Sequence, residues 1–136
     1  MARPARLFAL LFVVVSCLIL VSGCAAAKPP QPLVLTGSDV GTTHSLKVGQ
    51  TVNVTLDANP TTGYSWALDG PLPPQLKQSG DPDYTATSTS LGTGGTEVWQ
   101  FVGTSAGKAA LKMKYWRSFE PTATPGSTFE VTLDVK

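Results

Sequence analysis

The chain has 136 residues, 14% of them charged, with Lys+Arg 10 against Asp+Glu 9 and one His. That length fits one compact domain, and a net charge of +1 lacks the basic footprint that nucleic-acid binding requires. His44, Cys17 and Cys24 cannot supply a zinc or iron–sulfur ligand set. A single histidine also removes most nucleophile–base pairs, so no catalytic residues, metal or cofactor are expected.

The first stretch reads as an address and not as part of a fold. Met1–Arg6 carries Arg3 and Arg6 and no acid, and Leu7–Val21 is an apolar run broken only by Ser16. The run holds 15 residues, short of the ~20 needed to span a bilayer as a helix. A basic segment followed by a short apolar one is an export signal. Val21-Ser22-Gly23-Cys24 then resembles the bacterial lipobox, an aliphatic residue and two small residues before a Cys. The resemblance implies that residues 1–23 are a lipoprotein signal peptide, that Cys24 becomes an acylated N-terminus, and that the mature protein sits on the extracytoplasmic face of the cell envelope.

Residues 24–136 carry eight Lys/Arg and nine Asp/Glu, and Cys24 is their one cysteine. A lipidated Cys24 leaves no partner for a disulfide, so the core alone must hold the fold, and about 100 residues suffice for that. Cys24–Pro32 (Cys-Ala-Ala-Ala-Lys-Pro-Pro-Gln-Pro) reads as a tether, because three prolines disfavour regular structure and keep the chain extended. The domain is expected over residues 33–136.

From Leu33 onward there are 17 Thr, frequent Gly and Pro, and no apolar stripe of helical period. Leu33–Thr36 and Ser45–Val48 are short strand candidates. Thr51–Asp57 alternates, with Val52, Val54 and Leu56 on one face and Asn53, Thr55 and Asp57 on the other. Tyr64–Asp69 carries Trp66, Tyr84–Ser88 is weaker, and Glu97–Gly103 carries Trp99 and Phe101. Lys108–Arg117 places Ala109, Leu111, Met113 and Tyr115 on one face, and Thr128–Val135 does so with Phe129, Val131, Leu133 and Val135. Seven or eight short strands joined by turns predict an all-β antiparallel sandwich with one buried and one wet face per sheet. His44 falls between strands, in Gly41–His44, and is expected to be a solvated loop residue.

Three connections stand out. Asn59-Pro60-Thr61-Thr62-Gly63-Tyr64 is a stiff turn, in which Pro60 fixes one φ and Gly63 permits a positive one, and it is expected to present two hydroxyls. Leu91-Gly92-Thr93-Gly94-Gly95-Thr96 is expected to expose main-chain N–H and C=O groups. Without a following Lys-Ser/Thr or a helix it fails as a phosphate loop. Trp116-Arg117-Ser118-Phe119-Glu120-Pro121 sets a cation beside an aromatic where a strand ends. Singly, each also fits a plain turn, a flexible link or a frayed strand end.

In this order the three loops resemble the signatures of the chagasin family of cysteine-protease inhibitors: Asn-Pro-Thr-Thr-Gly-Tyr/Phe, Gly-x-Gly-Gly, and Arg-Pro-Trp, sometimes with Phe. Asn59–Tyr64 matches the first in full, and Gly92, Gly94 and Gly95 match the second. Arg117 and Phe119 match the third, with Ser118 in place of proline. The resemblance spans residues 33–136. It implies an immunoglobulin-like sandwich with the three loops side by side, acting as a wedge in the cleft of a papain-like cysteine protease. The implied contact residues are Asn59, Pro60, Thr61, Thr62, Gly63, Tyr64, Gly92, Thr93, Gly94, Gly95, Arg117 and Phe119. The implied protein is a monomeric, reversible, competitive inhibitor. The alternative on the same residues is an immunoglobulin-like envelope module that binds a surface partner without inhibiting anything.

Overall fold

A computed structural model of the chain describes residues 27–136. The leader expected over residues 1–23 and the acylated Cys24 lie outside the described residues. Nine strands are formed: β1 Leu33–Thr36, β2 Thr43–Leu46, β3 Thr51–Ala58, β4 Ser65–Leu68, β5 Leu76–Gln78, β6 Asp83–Ala86, β7 Gly95–Gly103, β8 Gly107–Trp116 and β9 Ser127–Val135. The strand beyond the expected seven or eight is β5. It has only three residues, too few for alternation to show.

The strands make two sheets. One has the order β1-β3-β7-β5, with β6 also on β7, and the other has the order β2-β9-β8-β4. β5 and β6 share one edge of β7, β5 opposite Phe101–Gly103 and β6 opposite Gly95–Val98. The expectation of purely antiparallel sheets is corrected at two edges, since β1 runs parallel to β3 and β2 parallel to β9. The chain reverses at the short link between β1 and β2 and again before β3, and β2 lies in the other sheet, so β1 and β3 meet running the same way, as do β2 and β9. The link is pinned by the Thr36 N–H donating to Asp39 Oδ2 at 2.8 Å, which holds the Asp39 carboxyl below its ordinary pKa.

Period-two alternation accounts for the core. The buried residues of β3 are Val52, Val54, Leu56 and Ala58, those of β8 are Ala109, Leu111 and Met113, and those of β9 are Phe129, Val131, Leu133 and Val135. Phe101 from one sheet and Phe129 from the other are the largest fully enclosed side chains. The seventeen buried core residues all lie between Leu35 and Val135, so the two sheets carry a complete core among the described residues.

Register also defines two poles. Ala58 pairs with Gly95 and Ser127 with Tyr115, so the connections 59–64, 87–94 and 117–126 gather at one pole. Thr51 pairs with Val102 and Gly107 with Val135, so the turns 47–50 and 104–106 lie at the other. The chain enters at this second pole, where Gln50 Nε2 donates to the Gln31 carbonyl at 2.7 Å.

Trp66 joins the layers near the first pole. It is 9% exposed, its Nε1 donates to the Asp57 carbonyl at 2.9 Å, and its ring lies 5.2 Å from that of Tyr115. Trp66→Ala removes the ring and leaves a cavity, and the expected loss is ~3–5 kcal/mol in denaturant unfolding. A loss below ~1 kcal/mol is what a surface residue would give.

Candidate functional site

The connection between β3 and β4 is built around Asn59. Its N–H donates to Tyr115 Oη at 2.7 Å and its Nδ2 to the Gly92 carbonyl at 3.2 Å. Its own carbonyl accepts the Thr62 N–H at 3.1 Å and the Thr62 hydroxyl at 2.6 Å, and its Oδ1 accepts the Thr61 hydroxyl at 2.6 Å. Pro60–Thr62 is consequently a single 3-10 turn, closed by Gly63 at φ 80° with its N–H on the Pro60 carbonyl at 3.0 Å. The expectation that this loop presents two hydroxyls is corrected, because both donate inward to Asn59. What it exposes is the outer surface of Pro60, Thr61, Thr62 and Gly63. Side-chain bonds to the local backbone are the means by which Asn and Thr replace regular structure in turns.

The connection between β6 and β7 is closed by its own groups. Thr93 Oγ1 donates to the Ser90 carbonyl at 2.7 Å, and the Thr87 N–H donates to the Gly94 carbonyl at 3.0 Å. Gly92 sits at φ 80°. Gly95 departs from the expectation of exposed backbone. It is buried as the first residue of β7, where a Cβ would collide with the Thr85 carbonyl oxygen. Its lack of a side chain permits the close approach of β6. Leu91 at the tip is fully exposed, at 103% of its reference area.

The connection between β8 and β9 is held to the first loop by stacking. The Arg117 guanidinium lies 4.6 Å from the centre of the Tyr64 ring, Tyr64 stacks on Tyr115 at 5.2 Å, and Tyr115 meets Trp66 at 5.2 Å. Arg117 also reaches Glu120 at 3.6 Å. The Phe119 ring passes 3.1 Å from where a Cβ on Gly63 would stand, so Gly63 is favoured by its positive φ, and a side chain there would also push the Phe119 ring back. Phe119 remains 66% exposed. The Gly126 N–H closes the loop on the Tyr115 carbonyl at 2.8 Å.

The structure therefore brings the three singled-out loops together at one pole, fixed to one another through Asn59, Gly92, Tyr64, Arg117 and Phe119. His44 is elsewhere, and its placement is corrected: it belongs to β2, is half-buried, and bonds Thr42 Oγ1 at 2.7 Å with Asp39 at 3.6 Å. Among the described residues, no group of three or more His, Cys, Asp or Glu is placed to hold a metal ion.

Known proteins resemble this chain in both sequence and fold. The family described as Chagasin family peptidase inhibitor I42 matches residues 45–133. Chagasin of Trypanosoma cruzi is 30% identical over 97 residues, covering 68% of this chain and 88% of chagasin. Amoebiasin-1 of Entamoeba histolytica is 30% identical over 105 residues, covering 75% of this chain and 98% of that protein. The chain belongs to the chagasin family. The fold is also that of the crystal structure of EhICP2, a cysteine protease inhibitor from Entamoeba histolytica, with a TM-score of 0.69 at 20% identity. That match covers 78% of this chain and 96% of EhICP2, so the two-sheet domain by itself corresponds to a whole solved inhibitor. The relatives are protease inhibitors and not enzymes.

Two residues of this chagasin-family pole escape a reading by motif. Tyr115 looks like one more inward residue of β8, yet its ring, hydroxyl and carbonyl hold two loops. Leu91 precedes the glycine motif, and nothing in a linear pattern shows that it projects.

Glu97 on β7 carries the electrostatic tension of the pole. Burial between the sheets raises its carboxyl above the ordinary pKa, against hydrogen bonds from the Trp99 indole at 2.7 Å and the Trp66 backbone that pull the other way. A folded-state pKa above the unfolded value means that the stability this group contributes is complete below pH ~4 and is lost as pH rises through the folded value. Glu97→Gln keeps an acceptor for Trp99 without the charge. Its melting temperature is expected to exceed that of the native domain at pH 7, with the difference vanishing near pH 4. A difference that stays constant across that range would show that charge burial is not the cause.

Proposed function

We propose that the protein is a reversible, competitive inhibitor of papain-like cysteine proteases whose loops 59–64, 91–96 and 116–121 occlude the active-site cleft. The observation that carries this reading is the hydrogen-bond closure of the Asn59–Gly63 turn, braced from both sides by the other two loops. A turn already fixed loses little conformational entropy on docking, so buried area converts more fully into affinity. A contact of ~1,600 Å² is enough for tight association. The turn enters at the catalytic centre. Exposed Leu91 on one side and Phe119 on the other supply the large apolar groups that anchor interfaces. Occlusion of this kind is stoichiometric and needs no reacting group on the inhibitor. Arg117, held over Tyr64, keeps Phe119 and the third loop in register with the first.

We further propose that the inhibitor acts as an exported lipoprotein, anchored through Cys24 by the lipobox Val21–Cys24, with Cys24–Pro32 as its tether. One acyl chain binds a membrane only marginally, so stable anchoring implies more than one.

Progress-curve inhibition of papain by residues 27–136 tests the inhibitor reading. Thr62→Trp adds bulk at the turn, where a narrow cleft closes around it, and is expected to abolish tight inhibition, whereas Thr62→Val, which loses the same hydroxyl bond to Asn59 (~1 kcal/mol of stability) without the bulk, is expected to keep it. Phe119→Ala and Leu91→Ala are each expected to cost ~1–2 kcal/mol of binding, or about 5- to 30-fold in the inhibition constant. A folded domain that leaves a panel of papain-like proteases fully active at micromolar concentration would favour the non-inhibitory envelope module instead.

The anchor has its own test. Cys24→Ser is expected to eliminate acyl labelling and to leave an unprocessed precursor in the membrane fraction. Normal processing of that variant, with acyl labelling unchanged, would refute lipidation.

A further inference from the structure

The side-chain charges of this small domain are sorted between its poles. Lys47 lies in the turn after β2, Lys77 opposite Val102, Lys108 opposite Asp134, and Lys136 directly after β9, so register places all four at the pole where the chain enters. All four are exposed, and Lys28 is carried by the segment leading into that pole. The acidic side chain among them is Asp134, which Lys136 reaches at 3.3 Å. Elsewhere in the described residues three cations, Lys112, Lys114 and Arg117, face eight acids. Each of those three is paired, with Glu130, Asp69 and Glu120 respectively. Among the described residues, Lys47, Lys77 and Lys108 have no acidic side chain within ion-pair distance.

A domain with a net charge near zero thus has a cationic end whose lysines are mostly unpaired, and an acidic remainder. Between Lys47 and Gly49 at the tip of the cationic end stands Val48, half exposed at 50%. The three loops occupy the opposite end, about 25 Å away along the eight residues of β3.

We propose that the pole bearing Lys47, Lys77, Lys108 and Lys136 is a membrane face that rests on anionic phospholipid and turns the three loops away from the bilayer. The setting rests on the anchored-inhibitor reading, because Cys24 precedes β1 by nine residues and cannot be more than about 32 Å from it. A chain fastened at Cys24 keeps this pole within that reach of the lipid surface, and the lysines then select the orientation in which this pole, and not the loop pole, faces the lipid. Each lysine near an anionic surface contributes roughly a fivefold gain in partitioning. The tether raises the effective concentration, so weak contacts suffice to orient the domain. The acidic half is repelled by the same surface, which reinforces the orientation. A protease arriving from the aqueous side then meets the loops unobstructed.

Residues 27–136, which correspond to a whole solved inhibitor, can be tested without the anchor by cosedimentation with vesicles. On vesicles of about 30% phosphatidylglycerol in phosphatidylcholine at low salt, the domain is expected to bind, and to release as salt shortens the screening length to ~8 Å. Lys47→Gln/Lys77→Gln/Lys108→Gln/Lys136→Gln is expected to lose at least about tenfold in binding, while Lys112→Gln/Lys114→Gln keeps it. Papain inhibition by the vesicle-bound domain is expected to equal that of the free domain. Equal binding to pure phosphatidylcholine, equal loss in the Lys112/Lys114 variant, or competition between vesicles and papain would overturn the proposed face. A domain that inhibits papain but ignores anionic vesicles overturns the face alone. One that binds vesicles through these lysines yet never inhibits supports the face and sinks the inhibitor reading.

Discussion

The pole of this sandwich depends on one residue, Tyr115. Its ring is packed between Tyr64 and Trp66, its hydroxyl takes the Asn59 N–H, and its carbonyl takes the Gly126 N–H. Three independent attachments on one residue connect the core to the first loop and to the third. A tyrosine is suited to this because it has an apolar body that tolerates burial and a polar tip that still needs a partner. Without that post, Asn59 would lose the donor contact that fixes where its turn begins, and the column ending in Arg117 would lose its base.

Asn59 does for the turn what Tyr115 does for the pole. Its N–H, carbonyl, Oδ1 and Nδ2 are all engaged, two of them with threonine hydroxyls from the turn itself. The consequence is a protruding segment held by local bonds as strongly as by packing. That combination suits a surface that must stay exposed and yet must not rearrange on contact. Stiffness placed in the loop, and not borrowed from a partner, is what allows a domain of this size to bind tightly through a small tip.

Much of this was legible beforehand. Alternation in Thr51–Asp57, Lys108–Arg117 and Thr128–Val135 identified the inward residues of β3, β8 and β9, because a half-buried sheet demands period two. Asn59–Tyr64 announced a stiff turn, since Pro and Gly restrict and permit φ regardless of context, and Gly63 does adopt the positive φ. Edges were harder to read. β5 is too short to show a period, and β2, Thr-His-Ser-Leu, has polar residues that resemble a loop. His44 belongs to a strand there only because β9 offers an unpaired edge.

By itself, the sequence determined the all-β class, the identity of the inward-facing residues, the family signature in three loops and the expectation of an exported, tethered chain. These are local properties: periodicity, turn chemistry and short motifs survive without knowledge of neighbours. Only the tertiary structure decided that the Thr61 and Thr62 hydroxyls turn inward, that Gly95 is a close-packing residue, that Leu91 projects, and that Tyr115 holds two loops. It alone sorted the lysines to the pole opposite those loops. Each of these depends on which residues distant in the chain are brought together. Strand register sets that, and the free energy that selects a register is spread over the whole core.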